Sequence, residues 1–155
     1  MNLQTRIPIS NGTSIPCVGF GTWKTPNEEA EKSVAEALRV GYRHIDTATA
    51  YGNEAGVGKA IAESGIARKD IFLTSKLWNP HQGYQSTLEA FERSLEKLQT
   101  DYLDLYLIHW PNPSQDTYVD AFRGMRALQE EGLVKAVGVS NFKPAHLQRL
   151  ADAGV

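Results

Sequence analysis

The feature that most constrains this chain is an alternation of short β-type runs with longer helical patterns, repeated at intervals of about 30 residues. Five β-type runs are predicted, at Ser14–Gly19, Arg43–Ala48, Ile71–Leu77, Leu103–Trp110 and Val134–Ser140. Between them, apolar residues recur at helical spacing, so each intervening segment is predicted to form one amphipathic helix. Such a repeat is typical of an α/β fold, because each return to a parallel sheet needs a crossover helix.

Capping signals mark the starts of two helices. Thr25, Pro26 and Glu28 predict a capping box with proline in the first helical position. Thr117 and Asp120 repeat the signal before the fourth helix. The first helix is therefore expected to begin at Pro26, and the fourth directly after Thr117.

The fourth β-type run contains LDLYLI at Leu103–Ile108, which is almost wholly apolar and is typical of a strand covered on both faces. Asp104 interrupts this run, so it is expected to face a partner or an end of the sheet. Upstream, Arg6–Pro16 holds Ser10-Asn11-Gly12 between two apolar stretches, which predicts a hairpin. We expect this hairpin to plug one end of a barrel.

Composition narrows the class of protein further. The 155 residues have a formal net charge of -2 and no basic block, which argues against a nucleic-acid partner. Cys17 is the single cysteine, so no internal disulfide can form, and this suits a reducing cytoplasm. The sequence has no apolar run as long as a signal-peptide core or a membrane span. Since no linker-like segment divides it, residues 1–155 are expected to form one cytoplasmic domain with no membrane partner.

Ionisable side chains follow the predicted strands at the edge where parallel α/β folds collect reactive groups. Asp46 ends the second run, Tyr51 follows in the next loop, Lys76 ends the third run and His109 ends the fourth. Taken singly, each has an ordinary alternative as a helix cap, a core or rim aromatic, or a solvated lysine. Together they predict a site in which a Lys–Asp pair makes the neighbouring phenol a stronger acid.

Five stretches carry a resemblance to the aldo-keto reductase family, in that family's order and over essentially the whole chain. They are Val18–Trp23 (VGFGTW), Gly41–Ala48 (GYRHIDTA) with Tyr51–Glu54 (YGNE), Ser75–Trp78 (SKLW), Leu105–Pro111 (LYLIHWP) and Gly138–Phe142 (GVSNF). Within the family, the resemblance is greatest to bacterial members that include diketogluconate reductases. It implies a (β/α)8 TIM barrel, of which this chain supplies the N-terminal hairpin and about five strand-helix units.

The resemblance also implies an activity, which is the NADPH-dependent reduction of aldehydes, ketones or keto acids to alcohols. It makes Tyr51 the proton donor and His109 the residue that orients the carbonyl oxygen of a small substrate. Lys76 and Asp46 tune the acidity of that donor. The preference for NADPH as the hydride source rests on the resemblance alone.

Cofactor and substrate contacts are implied in the same way. The positions that match NADPH contacts are Gly21, Thr22, Asp46, Ser140 and Asn141. The positions that match the substrate mouth are Trp23, Trp78, His109 and Trp110. For the tryptophans the alternative is plain packing in the core or rim of the barrel. No metal is expected, because the remaining histidines lack ligand spacing with cysteine or with one another.

A complete barrel of this type has eight strand-helix units in roughly 250 residues, and five units are recognised here. We expect this chain to be the N-terminal part of a longer reductase whose full-length form is a monomer. One alternative is a truncated product that self-associates through its open sheet edge and is inactive. Another alternative is a catalytically silent barrel that binds cofactor or acts as a scaffold.

Overall fold

A five-stranded parallel sheet with one helix after each strand forms the body of the protein, as seen in a computed structural model that describes residues 2–3, 5–9 and 12–155. The strands are β1 Arg6–Pro8, β2 Ser14–Pro16, β3 Phe20–Gly21, β4 His44–Asp46, β5 Phe72–Leu77, β6 Leu103–Ile108 and β7 Val134–Val139. The α-helices are α1 Asn27–Arg39, α2 Glu54–Glu63, α3 Tyr84–Leu98, α4 Tyr118–Glu130 and α5 Pro144–Asp152. Short 3-10 turns lie at Thr49–Tyr51, Arg68–Asp70 and Asn79–His81.

The order of strands in the sheet follows their order in the chain, from β3 to β7, and every pair is parallel. The register sets Gly21 beside Asp46, and Lys76 beside Leu107. Because all strands run the same way, the residues that follow them gather at one edge of the sheet. The predicted α/β fold with five strand-helix units is therefore confirmed for this part of a barrel.

The first predicted strand, Ser14–Gly19, is wrong in its extent. Its first half, Ser14–Pro16, pairs antiparallel with β1 and does not join the five-stranded sheet. The sheet begins instead at Phe20–Gly21. Pro16 is the last residue of β2, and the chain bends at Cys17 and Val18 before Phe20 enters the sheet.

A hairpin of β1 and β2 is present, as predicted, with Ile7 opposite Ile15. Of its predicted turn, Ser10 and Asn11 lie outside the described residues. Hairpin residues and residues near the amino ends of the sheet strands line a common cavity of about 660 Å³; they include Arg6, Ser14, Phe72, Asp104 and Lys135. The hairpin thus lies at the end of the sheet opposite the strand carboxyl ends.

The predicted capping boxes are not formed. Helix α1 begins at Asn27, and Pro26 precedes it with an extended ψ of 153° and no side-chain cap among the described residues. Helix α4 does begin directly after Thr117, but the Thr117 hydroxyl contacts Oε1 of Gln82 at 3.5 Å instead of capping the helix. At Thr117, a tertiary contact thus replaces the local cap.

Glycines allow helix α2 to approach its neighbours closely. A Cβ on Gly56 would lie 2.1 Å from the carbonyl oxygen of Asn27, and one on Gly58 would lie 2.5 Å from the backbone of Leu98. Only glycine fits such distances between backbones. Small residues in this stretch therefore pack α2 between α1 and α3.

Among the helices of the described segments, none has the length and apolar character needed to cross a membrane.

Candidate functional site

Four side chains meet at the carboxyl edge of the sheet. Asp46 is the last residue of β4, Lys76 is the penultimate residue of β5, and His109 directly follows β6. Tyr51 ends the 3-10 turn at Thr49–Tyr51, which we call the Tyr51 turn. The structure brings these four predicted catalytic residues together, and we refer to them as the tetrad.

Lys76 contacts two other members of the tetrad, Asp46 and Tyr51. Its side chain is 8% exposed, and its Nζ donates to Oδ1 of Asp46 at 2.6 Å and to the carbonyl oxygen of Thr47 at 2.9 Å. The third contact of Nζ is the hydroxyl of Tyr51, at 3.4 Å. An ammonium has three donors, so each of them has an acceptor here. The buried positive charge is compensated by Asp46 and lies directly against the phenol of Tyr51.

His109 packs on both sides against aromatic rings. Its ring meets that of Tyr51 edge-on, with centroids 5.6 Å apart, and that of Trp78 with centroids 5.3 Å apart. Burial, reinforced by the positive charge of Lys76 and opposed by the negative charge of Asp46, lowers the pKa of His109. The imidazole is therefore neutral at pH 7. Its Nδ1 is buried and has no hydrogen-bond partner in the described part of the chain, which leaves Nε2 as the nitrogen able to face a ligand.

The predicted cofactor residues on β3 lie next to the tetrad. Thr22 is fully buried, and both its backbone N–H and its hydroxyl donate to the carbonyl oxygen of Asp46, at 3.0 and 3.2 Å. Gly21 is exposed, and a Cβ built on it would meet no atom within 4 Å. The edge of the sheet beside Asp46 is thus open above Gly21.

The other predicted cofactor residues follow β7. Asn141 has a left-handed φ of 62°, and its Nδ2 donates to the carbonyl oxygen of His109 at 2.9 Å and to Oγ of Ser140 at 3.0 Å. The backbone N–H of Ser140 donates to the carbonyl oxygen of Ile108 at 2.8 Å. These bonds fix both residues beside His109, on the far side from Gly21.

Three tryptophans follow β3, β5 and β6 at the same edge of the sheet. Trp23 is 67% exposed and lies under the ammonium of Lys24, and Trp110 is 47% exposed. The carbonyl oxygen of Trp110 accepts a bond of 2.7 Å from Nε2 of the buried Gln82. Trp78 instead packs on His109. We call the region bounded by these loops the mouth. Exposed aromatic surface next to ionisable groups is typical of a ligand site.

Sequence reasoning missed the role of Asn53, which has no exposed surface. Its side chain contacts Thr22, Thr25 and Thr47, in segments that precede it by 6 to 31 residues. No periodicity or spacing marks such a residue. The one available signal was its membership of the Tyr51–Glu54 stretch.

Two of the histidines outside the tetrad have hydrogen-bond partners elsewhere. His44 Nε2 lies 3.2 Å from the hydroxyl of Thr74, and Nδ1 of His146 accepts the backbone N–H of Lys143 at 3.1 Å. Within residues 2–3, 5–9 and 12–155, no group of three or more His, Cys, Asp and Glu side chains is arranged to hold a metal ion.

The fold and this site define a class, which is a parallel β/α barrel with an ionisable cluster at the carboxyl ends of its strands. The sequence model of the Aldo/keto reductase family matches residues 17–155. The chain therefore belongs to the aldo-keto reductase family, as its sequence motifs predicted.

Individual relatives agree with this assignment. A protein named methylglyoxal reductase DkgA, from Salmonella typhimurium strain LT2, is 56% identical over 148 residues, which are 96% of this chain and 53% of that protein. The chain thus spans about half the length of the curated relatives it matches.

Solved structures agree as well. The crystal structure of an aldo/keto reductase from Brucella melitensis superposes with a TM-score of 0.94 at 59% identity, over 97% of this chain and 59% of that chain. A point mutant of Gox0644 in complex with NADPH gives a TM-score of 0.92 at 48% identity, over 98% of this chain and 55% of that chain.

Proposed function

We propose that this chain supplies the catalytic residues of an NADPH-dependent carbonyl reductase that converts aldehydes, ketones or keto acids to alcohols. The observation that carries the proposal is the contact of the Lys76 ammonium with both Asp46 and the hydroxyl of Tyr51. The Lys76 ammonium lies 3.4 Å from the hydroxyl oxygen of Tyr51, where a positive charge stabilises the negative charge left on that oxygen by proton donation. Tyr51 is therefore the proton donor to the oxygen of the carbonyl group as that oxygen becomes an alkoxide.

His109 orients the substrate. A neutral imidazole whose Nδ1 is buried can donate a hydrogen bond from Nε2 to a carbonyl oxygen. Such a donor also stabilises the negative charge that develops on that oxygen during reduction. Because His109 packs against the ring of Tyr51, the hydrogen-bond donor and the proton donor converge on the same atom of the substrate.

The residues present fit a nicotinamide cofactor. Gly21 leaves open space beside Asp46, and Ser140 and Asn141 supply hydroxyl and amide groups beside His109. Thr22 donates to the carbonyl oxygen of Asp46 and so holds the backbone of Asp46 in place. When bound, NADPH supplies a hydride to the carbonyl carbon. The NADPH complex of the Gox0644 mutant, a homologue at 48% identity, supports this choice of cofactor.

The three tryptophans of the mouth favour small carbonyl compounds with apolar surface. Trp23 and Trp110 offer exposed rings, while Trp78 narrows the approach to His109. The name of the Salmonella relative, methylglyoxal reductase, supports a small dicarbonyl as one substrate to test first.

Loss of the nicotinamide absorbance band tests the proposal directly. The complete protein is mixed with NADPH and, in turn, methylglyoxal, simple aldehydes, ketones and keto acids. Consumption of NADPH with at least one of these is expected. Tight binding of NADPH without turnover of any of them would favour the catalytically silent alternative.

A further inference from the structure

Asn53 is the first residue after the Tyr51 turn and Gly52, and it immediately precedes helix α2. Asparagine in this position normally caps the helix that follows, by accepting a bond from a backbone N–H of the first turn. The side chain of Asn53 makes no such bond within the described chain. That bond is supplied by another residue, because Oδ1 of Asn27 accepts the N–H of Gly56 at 2.8 Å.

The amide of Asn53 instead uses its full bonding capacity on the loops around the tetrad. Its Nδ2 donates to the carbonyl oxygens of Thr22 and Thr25, both at 2.9 Å. Its Oδ1 accepts from the hydroxyl of Thr47 at 2.7 Å and, at 3.4 Å, shares the single hydroxyl proton of Thr22 with the carbonyl oxygen of Asp46. Two donors and two acceptor positions are thus all used, with no exposed surface. A fully satisfied buried network of this kind holds its members in one arrangement.

Two of the partners of Asn53 touch the tetrad through one further bond. The carbonyl oxygen of Thr47 accepts from Nζ of Lys76, and Thr22 donates to the carbonyl oxygen of Asp46. Asn53 itself lies two residues after Tyr51. One side chain therefore links the backbone around Asp46, one acceptor of Lys76, and the turn that carries Tyr51.

We propose that Asn53 is a positioning residue that holds the hydroxyl of Tyr51 against Lys76 by locking the Tyr51 turn onto the loops after β3 and β4. The inference rests on the proposed function, since it assigns Asn53 to the geometry of that proton donor. Gly52, with a φ of 68°, is the only residue between Tyr51 and Asn53, so little backbone is available to absorb a displacement. A shift of about 1 Å at a reacting group lowers turnover by roughly 10²-fold.

Asn53→Ala, made in the complete protein, removes the whole network. We expect its kcat at saturating NADPH and substrate to fall by about 10- to 100-fold. The amides of Tyr51 and Gly52, which bond to the carbonyl oxygens of Ala48 and Thr49, should exchange with deuterium faster than in the parent.

The matched control is Asn27→Ala. It removes the bond to Gly56 and so weakens the start of the same helix, without touching the Tyr51 turn. We expect the urea midpoint of unfolding to fall, with kcat and the exchange of the turn amides close to the parent values. An equal loss of kcat in both variants would mean general loosening of α2 and would overturn the inference.

Thr47→Val is a second variant, in case Asn53→Ala does not fold. It removes one bond to Asn53 while keeping the size of the side chain. Its kcat should fall by less than that of Asn53→Ala, and where Asn53→Ala folds, adding Thr47→Val to it should lower kcat no further, since the bond between the two residues is already lost. Unchanged kcat and unchanged amide exchange in the folded variants would refute a positioning role. If the parent shows no turnover, the proposed function fails, and the amide exchange alone decides the inference.

Discussion

The two ends of the same sheet each hold a carboxylate, and the two carboxylates differ in exposure and in hydrogen-bond partners. At the amino end, the side chain of Asp104 is 4% exposed and its oxygens accept from Arg68 at 2.9 Å, from Lys135 at 2.8 Å and from the backbone N–H of Leu73 at 3.0 Å. This is the partner that the interruption of the apolar run predicted for Asp104. We call Asp104, Arg68 and Lys135 the amino-end cluster. Protein donors saturate the Asp104 carboxylate, which is what a stabilising role requires.

At the carboxyl end, the side chain of Asp46 is 32% exposed and forms its one ion pair with Lys76 among the residues that the structure describes. Beside it, the hydroxyl of Tyr51 accepts a long contact of 3.4 Å from Nζ of Lys76, and its own O–H donates to no residue in the described segments. The tetrad therefore keeps hydrogen-bonding capacity for a bound ligand. The two clusters differ both in the exposure of their carboxylates and in how far protein donors saturate them, and the less saturated cluster is the candidate reactive one.

The largest effect that should distinguish the two ends is on turnover. Tyr51→Phe keeps the ring that packs on His109 but removes the transferable proton, so kcat should fall at least about 10²-fold while NADPH affinity stays near the parent value. Tyr102→Phe is the matched change at the amino end, where the hydroxyl contacts Arg68 at 3.4 Å. Steady-state kinetics of both variants should show a loss for Tyr51→Phe alone. Near-parent rates for it would remove Tyr51 as the acid.

A second pair of variants should separate loss of stability from loss of turnover. Asp104→Asn leaves two cations with a neutral partner and should lower the free energy of unfolding by about 1.5–3 kcal/mol, with kcat nearly unchanged. Asp46→Asn should do the reverse, lowering kcat by at least about tenfold, or ~1.4 kcal/mol of transition-state stabilisation, with a smaller change in stability because Asp46 is partly exposed. Urea denaturation and kinetics on the same samples measure both. Similar stability losses at the two sites would contradict the comparison.

Glu54 is a third carboxyl residue and is buried, and its effect on stability should depend on pH. Glu54 accepts a bond of 2.6 Å from the hydroxyl of Ser75, and burial raises the pKa of Glu54 against the opposing effect of its bonds with Ser75 and Ser94. The folded state therefore binds this proton more tightly than the unfolded state. Its contribution to stability is full below pH 4.5 and is lost as the pH rises through the raised pKa of the folded state.

Glu54→Gln removes this titration while keeping an acceptor for Ser75. Relative to the parent, the variant should gain stability as the pH rises from 4.5 toward neutrality. Urea midpoints at several pH values measure the difference. A constant difference between variant and parent across that range would show that the pKa of Glu54 is not raised by folding.

The smallest effect is expected at Lys135, the exposed member of the amino-end cluster. The side chain of Lys135 is 44% exposed, and Asp104 keeps Arg68 and the N–H of Leu73 when Lys135 is replaced. Lys135→Met should therefore cost less than about 1 kcal/mol in unfolding free energy. A loss as large as that of Asp104→Asn would mean that Lys135, and not Arg68, neutralises the carboxylate.

The sequence predicted the architecture and the location of the site because both follow from local patterns. Strand ends are marked by apolar runs, so Lys76 and His109 could be assigned to the carboxyl edge before any contact was known. The capping box expected at Thr25 is not formed, and the carbonyl oxygen of Thr25 is instead bound by Asn53, from another segment. The extent of the first strand failed because a pairing with β1 outcompetes the sheet at Ser14–Pro16. Hydrogen bonds between distant segments leave no periodic trace in a sequence, and for this reason Asn53 escaped prediction.

The match between strand order and chain order has a consequence for how the protein is made. Each strand of the sheet pairs with the strand synthesised just before it, and the tetrad lies entirely between positions 46 and 109. A nascent chain can therefore add β4, β5 and β6 one after another as they leave the ribosome, with no need to wait for a distant partner. The carboxylate, phenol, ammonium and imidazole are then brought together by successive strand pairings during synthesis, each across about 30 residues of chain.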